Sequence, residues 1–200
     1  MTRLGLAIGG LFALAGAALL SVTSFGMTDG PAPRRLVDAK PKMSWLPGSP
    51  IDLRRISVPV VGVARGALLD SWGKERAGGD RAHEAIDIAA PGGTPVVAAA
   101  PGVVEKLFAS EAGGNTVYLR SPDRRWSFYY AHLRGYAPGL TEGARVEQGE
   151  LLGYVGDTGN AGAGNTHLHF GVARMRAGEE WHGGEPVNPY PLLARRNRPG

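Results

Sequence analysis

The chain has 200 residues, with 22 Lys and Arg against 18 Asp and Glu, giving a formal net charge of +4. The absence of cysteine excludes a disulfide scaffold, a thiolate metal site, a cysteine nucleophile and a lipoprotein anchor. Hydrophobic residues make up 43%, too many for a disordered chain, while 31 glycines and 15 prolines argue against long helices, where each is costly. The length allows one domain plus a targeting or linker segment. An isoelectric point of about 9.6 suits anionic surroundings, but so small a net charge does not imply a nucleic-acid partner.

In chain order, Arg3 precedes an uncharged stretch, Leu4–Thr28, with an apolar centre. A short basic start followed by an apolar run reads as an export signal, and its length is also near the lower limit for an uncleaved membrane anchor. Residues 1–28 are therefore expected to send the protein to the periplasm or cell envelope, released or anchored in the inner membrane. Residues 29–59 carry Pro31, Pro33, Pro41, Pro47, Pro50 and Pro59 among basic residues. Proline this dense opposes helix and central strand, so this segment is expected to be an extended tether that could also partly cover a groove.

Residues 60–194 are expected to form the folded domain, followed by a basic tail at 195–200 that could touch anionic polymers. Short apolar runs alternate with Gly, Pro, Asn and Asp clusters, and TPVVAAAPGVVEKLFAS, NTVYLRS, WSFYYAHL, ARVEQGELLGYVG and THLHFGVAR all read as strands. Closely spaced strands with turn signals between them predict a mainly β domain. GLTEGARVEQGELLGYVGDTG resembles the β-sandwich module of lipoyl and biotinyl carriers, but it lacks the carrier lysine, so the resemblance is architectural.

The chemistry concentrates in three segments. In RAHEAID, strand alternation places His83, Ala85 and Asp87 on one face and sends Ile86 and Ile88 toward a core. In NTHLHFGV, His167 and His169 share one strand face and Leu168 and Phe170 the other. FYYAHL ends an aromatic strand with His132. Imidazoles on an apolar strand need polar partners. Two histidines and a carboxylate with an open position form a known catalytic zinc arrangement, and two further histidines could move protons and steady an oxyanion.

HEAID, YAHL and HLHF, in this order, resemble the LytM/lysostaphin-type metallopeptidases that cut peptides in bacterial cell walls. IDIAAPGGTPVVAAAPGVV, GNTVYLRS and VEQGELLGYVGDTG extend the similarity over about residues 66–193. The resemblance implies a single antiparallel β-sheet or sandwich domain of the lysostaphin, duplicated-hybrid-motif type, with a groove. It implies one zinc ion held by His83, Asp87 and His169. It also implies that His132 and His167 flank the attacking water, one as general base and the other as partner of the tetrahedral oxyanion. Peptidoglycan cross-links or stem peptides are the implied substrates. Ala85 departs from the family's usual Gly in HxGxD, which could narrow the strand's approach while leaving the ligands in place. A competing function is a non-catalytic regulator of a cell-wall amidase, but such regulators typically lack the ligands retained here. A wall-binding module without chemistry would not account for Asp87 and four histidines in these motifs.

Other signals are weaker. Asp157-Thr158-Gly159 spells an aspartic-protease triplet, but one copy in a Gly-rich loop reads as a turn. GNAGAGNT echoes a phosphate loop, yet Asn165 stands where that motif needs lysine; the loop is better placed as a wall beside HLHF. His182 reads as a solvated loop residue and Arg124-Arg125 as part of a hairpin turn. The four tryptophans could serve core or groove.

Overall fold

A computed structural model describes residues 43–76 and 81–195 of the chain. The apolar N-terminal run, the first part of the proline-rich segment and residues 196–200 lie outside the described residues. Among the described residues no helix is long and apolar enough to cross a membrane.

The strands in chain order are β1 (Glu75–Arg76), β2 (Arg81–Ala82), β3 (Ile86–Ala89), β4 (Pro95–Val97), β5 (Gly102–Ser110), β6 (Gly114–Arg120), β7 (Trp126–Tyr136), β8 (Arg145–Val146), β9 (Leu151–Val155), β10 (His167–Arg174) and β11 (Glu185–Val187), with a short helix α1 (Tyr190–Ala194) near the end. β1 and β2 form a small ribbon, and the other nine strands form one antiparallel sheet ordered β11-β10-β7-β6-β5-β8. β3 adds to β10, while β9 joins β7 to β4.

Alternation divides the central strands into two faces. Leu168, Phe170 and Val172 of β10, Phe128 and Tyr130 of β7, and Val117 and Leu119 of β6 point into the core. Ile86 and Ile88 of β3 join them there, as their alternation with Asp87 predicts. Each fully buried side chain of this size stabilises the fold by roughly 1.5–3 kcal/mol, so the sheet's register is strongly specified. The opposite face carries His167, His169 and Gly171 of β10, Tyr129 and Ala131 of β7, and Tyr118 and Arg120 of β6.

Two expected strands are broken in the structure. TPVVAAAPGVVEKLFAS divides into β4 and β5 because the chain turns at Ala98–Pro101. Pro101 lacks an N–H and disfavours helix at Ala100, while Ala99 N–H is taken by the buried Tyr130 hydroxyl at 2.9 Å. ARVEQGELLGYVG divides into β8 and β9 around a turn closed by Gly149, whose φ of 85° suits glycine.

The expected tether needs correction from residue 43 onward. Residues 43–59 pack on the domain, with Trp45 and Ile56 buried. The Trp45 indole N–H donates to Val146 O at 3.1 Å, and the Arg145 guanidinium sits 4.1 Å from the ring centroid. Ser57 N–H donates to Ala99 O at 2.9 Å. Proline removes ladder donors but does not prevent apolar anchors between prolines from burying, and composition averages those anchors away. The domain therefore begins well before Val60. Hydrogen bonds tie this segment to Ala99, Pro122, Arg145, Val146, Glu147 and Gln148.

Between β10 and β11 the chain folds over the polar face at Arg120, which is only 1% exposed. Arg120 Nε donates to Glu105 Oε2 at 2.6 Å, and its two terminal nitrogens donate to the carbonyls of Arg124, Glu179 and Glu180 at 3.3–3.4 Å. Arg120→Met is expected to lower unfolding stability by about 3 kcal/mol, because it strands Glu105 and three carbonyls with weaker partners. A denaturant midpoint within error of the parent would contradict that role.

Candidate metal centre and flanking histidines

The five predicted residues come together on the polar face. β10 pairs with β3 on one side and β7 on the other, so that His169 lies directly opposite Asp87 and Ala131. His167, two residues earlier, occupies the same face and pairs with Ala89.

His83 arrives differently from the expectation. It precedes β3 rather than lying within it, and the chain bends at Ala85. In a straight strand residues four apart would be about 13 Å apart. The bend instead brings His83 Nε2 within 3.3 Å of Asp87 Oδ1. His83 N–H donates to Lys74 O at 3.0 Å, and Gly73 N–H donates to His83 O at 2.9 Å, so the β1–β2 ribbon fixes this stretch. The Ala85 methyl is not crowded: even a Cβ built on Gly171 would lie 3.8 Å from Ala85 Cβ, ordinary contact.

His132 is placed by a defect in β7. Strict alternation would send it to the core face, because Ala131 already faces His169. Its φ of 61° and the register shifts of β7 against β6 and β9 turn the ring back toward the cluster. Ring centroids of His132 lie 4.9 Å from His167 and 5.6 Å from His169. Here β7 changes partner from β10 to β9, and Gly156 permits the crossing, since a Cβ there would come within 2.4 Å of Arg134 N.

Backbone carbonyls orient three of the rings. Ser71 O lies 2.8 Å from His83 Nδ1, Thr158 O 2.8 Å from His132 Nδ1, and Asn165 O 2.9 Å from His167 Nδ1. A carbonyl can only accept, so each Nδ1 carries the proton and each Nε2 presents its lone pair to the cluster. Ser71 also accepts Asp87 N–H on its hydroxyl at 2.9 Å. Thr158 further braces the bulge, donating its hydroxyl to Leu133 O at 2.9 Å and accepting Asn115 N–H at 3.1 Å. Ser71 and Thr158 escaped sequence reasoning because backbone oxygens do much of their orienting, and a carbonyl leaves no residue-type signature. Asp157 Oδ2 accepts Gly164 N–H at 2.8 Å, so the DTG triplet closes a turn as its sequence suggests.

The electrostatics favour a cation. Burial would raise the Asp87 carboxyl, but the imidazoles of His169 and His83 beside it hold it far below the usual carboxylate range. Burial depresses His132 to about 4 against the opposing Thr158 hydrogen bond, so this imidazole is neutral near pH 7.

His83 Nε2, Asp87 Oδ1 and His169 Nδ1 lie 3.0–3.3 Å from one another. Tetrahedral zinc with bonds of about 2.0–2.1 Å separates its ligand atoms by about 3.3–3.4 Å, so these atoms nearly form one face of its coordination tetrahedron. Two imidazole nitrogens and a carboxylate are suitable zinc donors. Among the described residues, His167 Nε2 is buried with no hydrogen-bond partner, a nitrogen suited to a water or substrate atom beside the cluster. A cleft of about 330 Å³ opens there, lined by His83, Glu84, Tyr129, Ala131, His132 and His169. His182 lies outside it, exposed and edge-on to Trp181.

Comparison with known proteins places this architecture. The model of peptidase family M23 matches residues 81–189, and the chain belongs to that family. It is 37% identical over 129 residues to an L-Ala–D-Glu endopeptidase of Bacillus subtilis, covering 62% of this chain and 38% of that protein. It is 33% identical over 126 residues to a peptidoglycan DD-endopeptidase of Vibrio cholerae, covering 61% of this chain and 26% of that protein. The chain thus matches well under half the length of either relative. The catalytic domain of the antimicrobial peptidase lysostaphin from Staphylococcus simulans superposes with a TM-score of 0.52 at 27% identity, covering 62% of this chain and 90% of that domain. The chain is a metallopeptidase-family protein with zinc as its cofactor, and the mainly β, lysostaphin-like fold agrees with the sequence expectation.

Purified protein is expected to carry one zinc per chain and His169→Ala to lose most of it, as read by elemental analysis against protein concentration. Full zinc occupancy in that variant would overturn the ligand assignment.

Proposed function

We propose that the protein is a zinc endopeptidase that hydrolyses peptide bonds in peptidoglycan cross-links or stem peptides during wall remodelling. The carrying observation is the triangle of His83, Asp87 and His169 donor atoms with two further imidazoles beside it. In this reading those three residues hold the metal. Bound there, zinc supplies a water acidified to near neutrality and polarises the substrate carbonyl.

The chain's own residues then manage protons. His132 and His167 each have Nδ1 committed to a carbonyl and Nε2 directed inward. One accepts the proton of the attacking water, and the other, having taken up a proton from solvent, donates toward the oxygen that gains charge. The protonated base returns its proton to the leaving amine. Asp87 stays ionised throughout, which keeps a negative charge on the metal side of the cleft.

A non-catalytic regulator of an amidase would need neither the ligand triangle nor the tautomer locks, so those features favour catalysis. The apolar Leu4–Thr28 run supports export to the periplasm or cell envelope, as a signal peptide or inner-membrane anchor.

Purified peptidoglycan digested with the protein should release muropeptides whose masses identify the bond cut. No zinc-dependent release from any wall type would refute the reading. His132→Ala and His167→Ala are each expected to lower the cleavage rate by on the order of 100- to 1000-fold while zinc stays bound. Turnover near that of the parent in either variant would remove its assigned role.

A further inference from the structure

A row of aromatic rings leads away from the metal centre across the polar face of the sheet. Tyr129 lies with its ring centroid 5.8 Å from His169, and Tyr118 lies 4.6 Å from Tyr129. Trp181 follows at 4.8 Å from Tyr118, and Phe108 packs 5.1 Å from Trp181. Strand register puts the row on one face: Gly171 beside His169 pairs with Tyr129, and Tyr129 pairs with Tyr118. The core is on the other side, so packing of the hydrophobic interior does not require these rings.

Trp181 is not part of a strand. It belongs to the loop between β10 and β11, whose carbonyls at Glu179 and Glu180 are held by the buried Arg120. Beyond Trp181 a second cavity of about 620 Å³ opens, lined in part by Arg125 and Arg176. Among the described residues no carboxylate pairs with either guanidinium, whereas the neighbouring acids are engaged: Asp123 with Ser121 and Arg125 N–H, Glu179 with Arg176 N–H, and Glu180 with His182.

We propose that Trp181 is a specificity residue that contacts the substrate peptide at an outer subsite, with Arg120 as the positioning residue that holds its loop. The proposal rests on the peptidase reading and extends it along the polar face of the sheet. Adjacent strands lie about 4.8 Å apart, so Trp181 over β6 stands about 10–15 Å from His169 on β10. An extended peptide advances about 3.3 Å per residue, which places the contact about three or four residues from the cleaved bond. A peptide rather than a sugar fits the guanidiniums of Arg125 and Arg176 beyond Trp181, which no carboxylate among the described residues pairs, because peptide segments carry carboxylates that those groups can take up.

The test uses zinc-loaded full-length protein and wall-derived peptides shortened stepwise from each end. Both kcat/KM and equilibrium binding are measured for the parent, Trp181→Ala and Trp181→Phe. Trp181→Ala is expected to reduce the advantage of long over short peptides by about tenfold, mostly through KM, and Trp181→Phe to restore most of it. Equal loss at every length, no loss, or a loss confined to sugar-bearing substrates would overturn the proposal. A parent protein that binds the peptides without cutting them counts against the peptidase reading, and the binding comparison still decides Trp181. Failure of the parent to bind any peptide overturns this proposal as well.

Discussion

The pairing of β10 between β3 and β7 is the constraint on which the site depends. It sets Asp87 opposite His169 and Ala131 on the far side of the same residue. A slip of one residue would send His167 and His169 into the core and bring Leu168 and Phe170 onto the open face. Burial of Phe128, Tyr130, Leu168 and Phe170 opposes that slip, so the hydrophobic core on one face fixes the position of the candidate metal ligands on the other.

Around that register the cluster is assembled from departures from regular strand. His83 enters through a bend at Ala85, and His132 through a left-handed residue where β7 changes partner. Both departures are held by ordinary backbone hydrogen bonds, to the β1–β2 ribbon in one case and from His132 N–H to Gly113 O in the other. Glycines make the approach feasible: a Cβ on Gly114 would lie 2.1 Å from Thr158 Oγ1. The loop carrying Thr158 can therefore sit close enough to accept the His132 Nδ1–H hydrogen bond and brace the bulge. The concentration of imidazoles around one carboxylate is electrostatically coherent, since tautomers fixed by carbonyls turn lone pairs inward and leave room for one cation.

Arg120 has an analogous role at the other end of the polar face. Its fully buried guanidinium satisfies loop carbonyls while pairing with Glu105, so a loop without regular secondary structure is pinned above a sheet. The candidate metal ligands and the Trp181 loop thus rest on one rigid layer, as the proposed alignment of an extended peptide with reactive groups requires.

The sequence by itself determined the mainly β class, the alternation that buries Ile86, Ile88, Leu168 and Phe170, and the five chemically informative residues, because strand periodicity and histidine spacing are local properties. It also carried the family resemblance through HEAID, YAHL and HLHF. It misplaced the start of the domain, since Trp45 and Ile56 are isolated anchors within a proline-rich composition. It treated His83, Ala85 and Asp87 as neighbours on one flat strand, whereas a bend is what closes the distance. The orienting carbonyls of Ser71, Thr158 and Asn165, the reversal of His132 and the position of Trp181 were decided only by tertiary structure. These features depend on backbone atoms and on contacts between segments remote in sequence, neither of which leaves a local pattern of residue types.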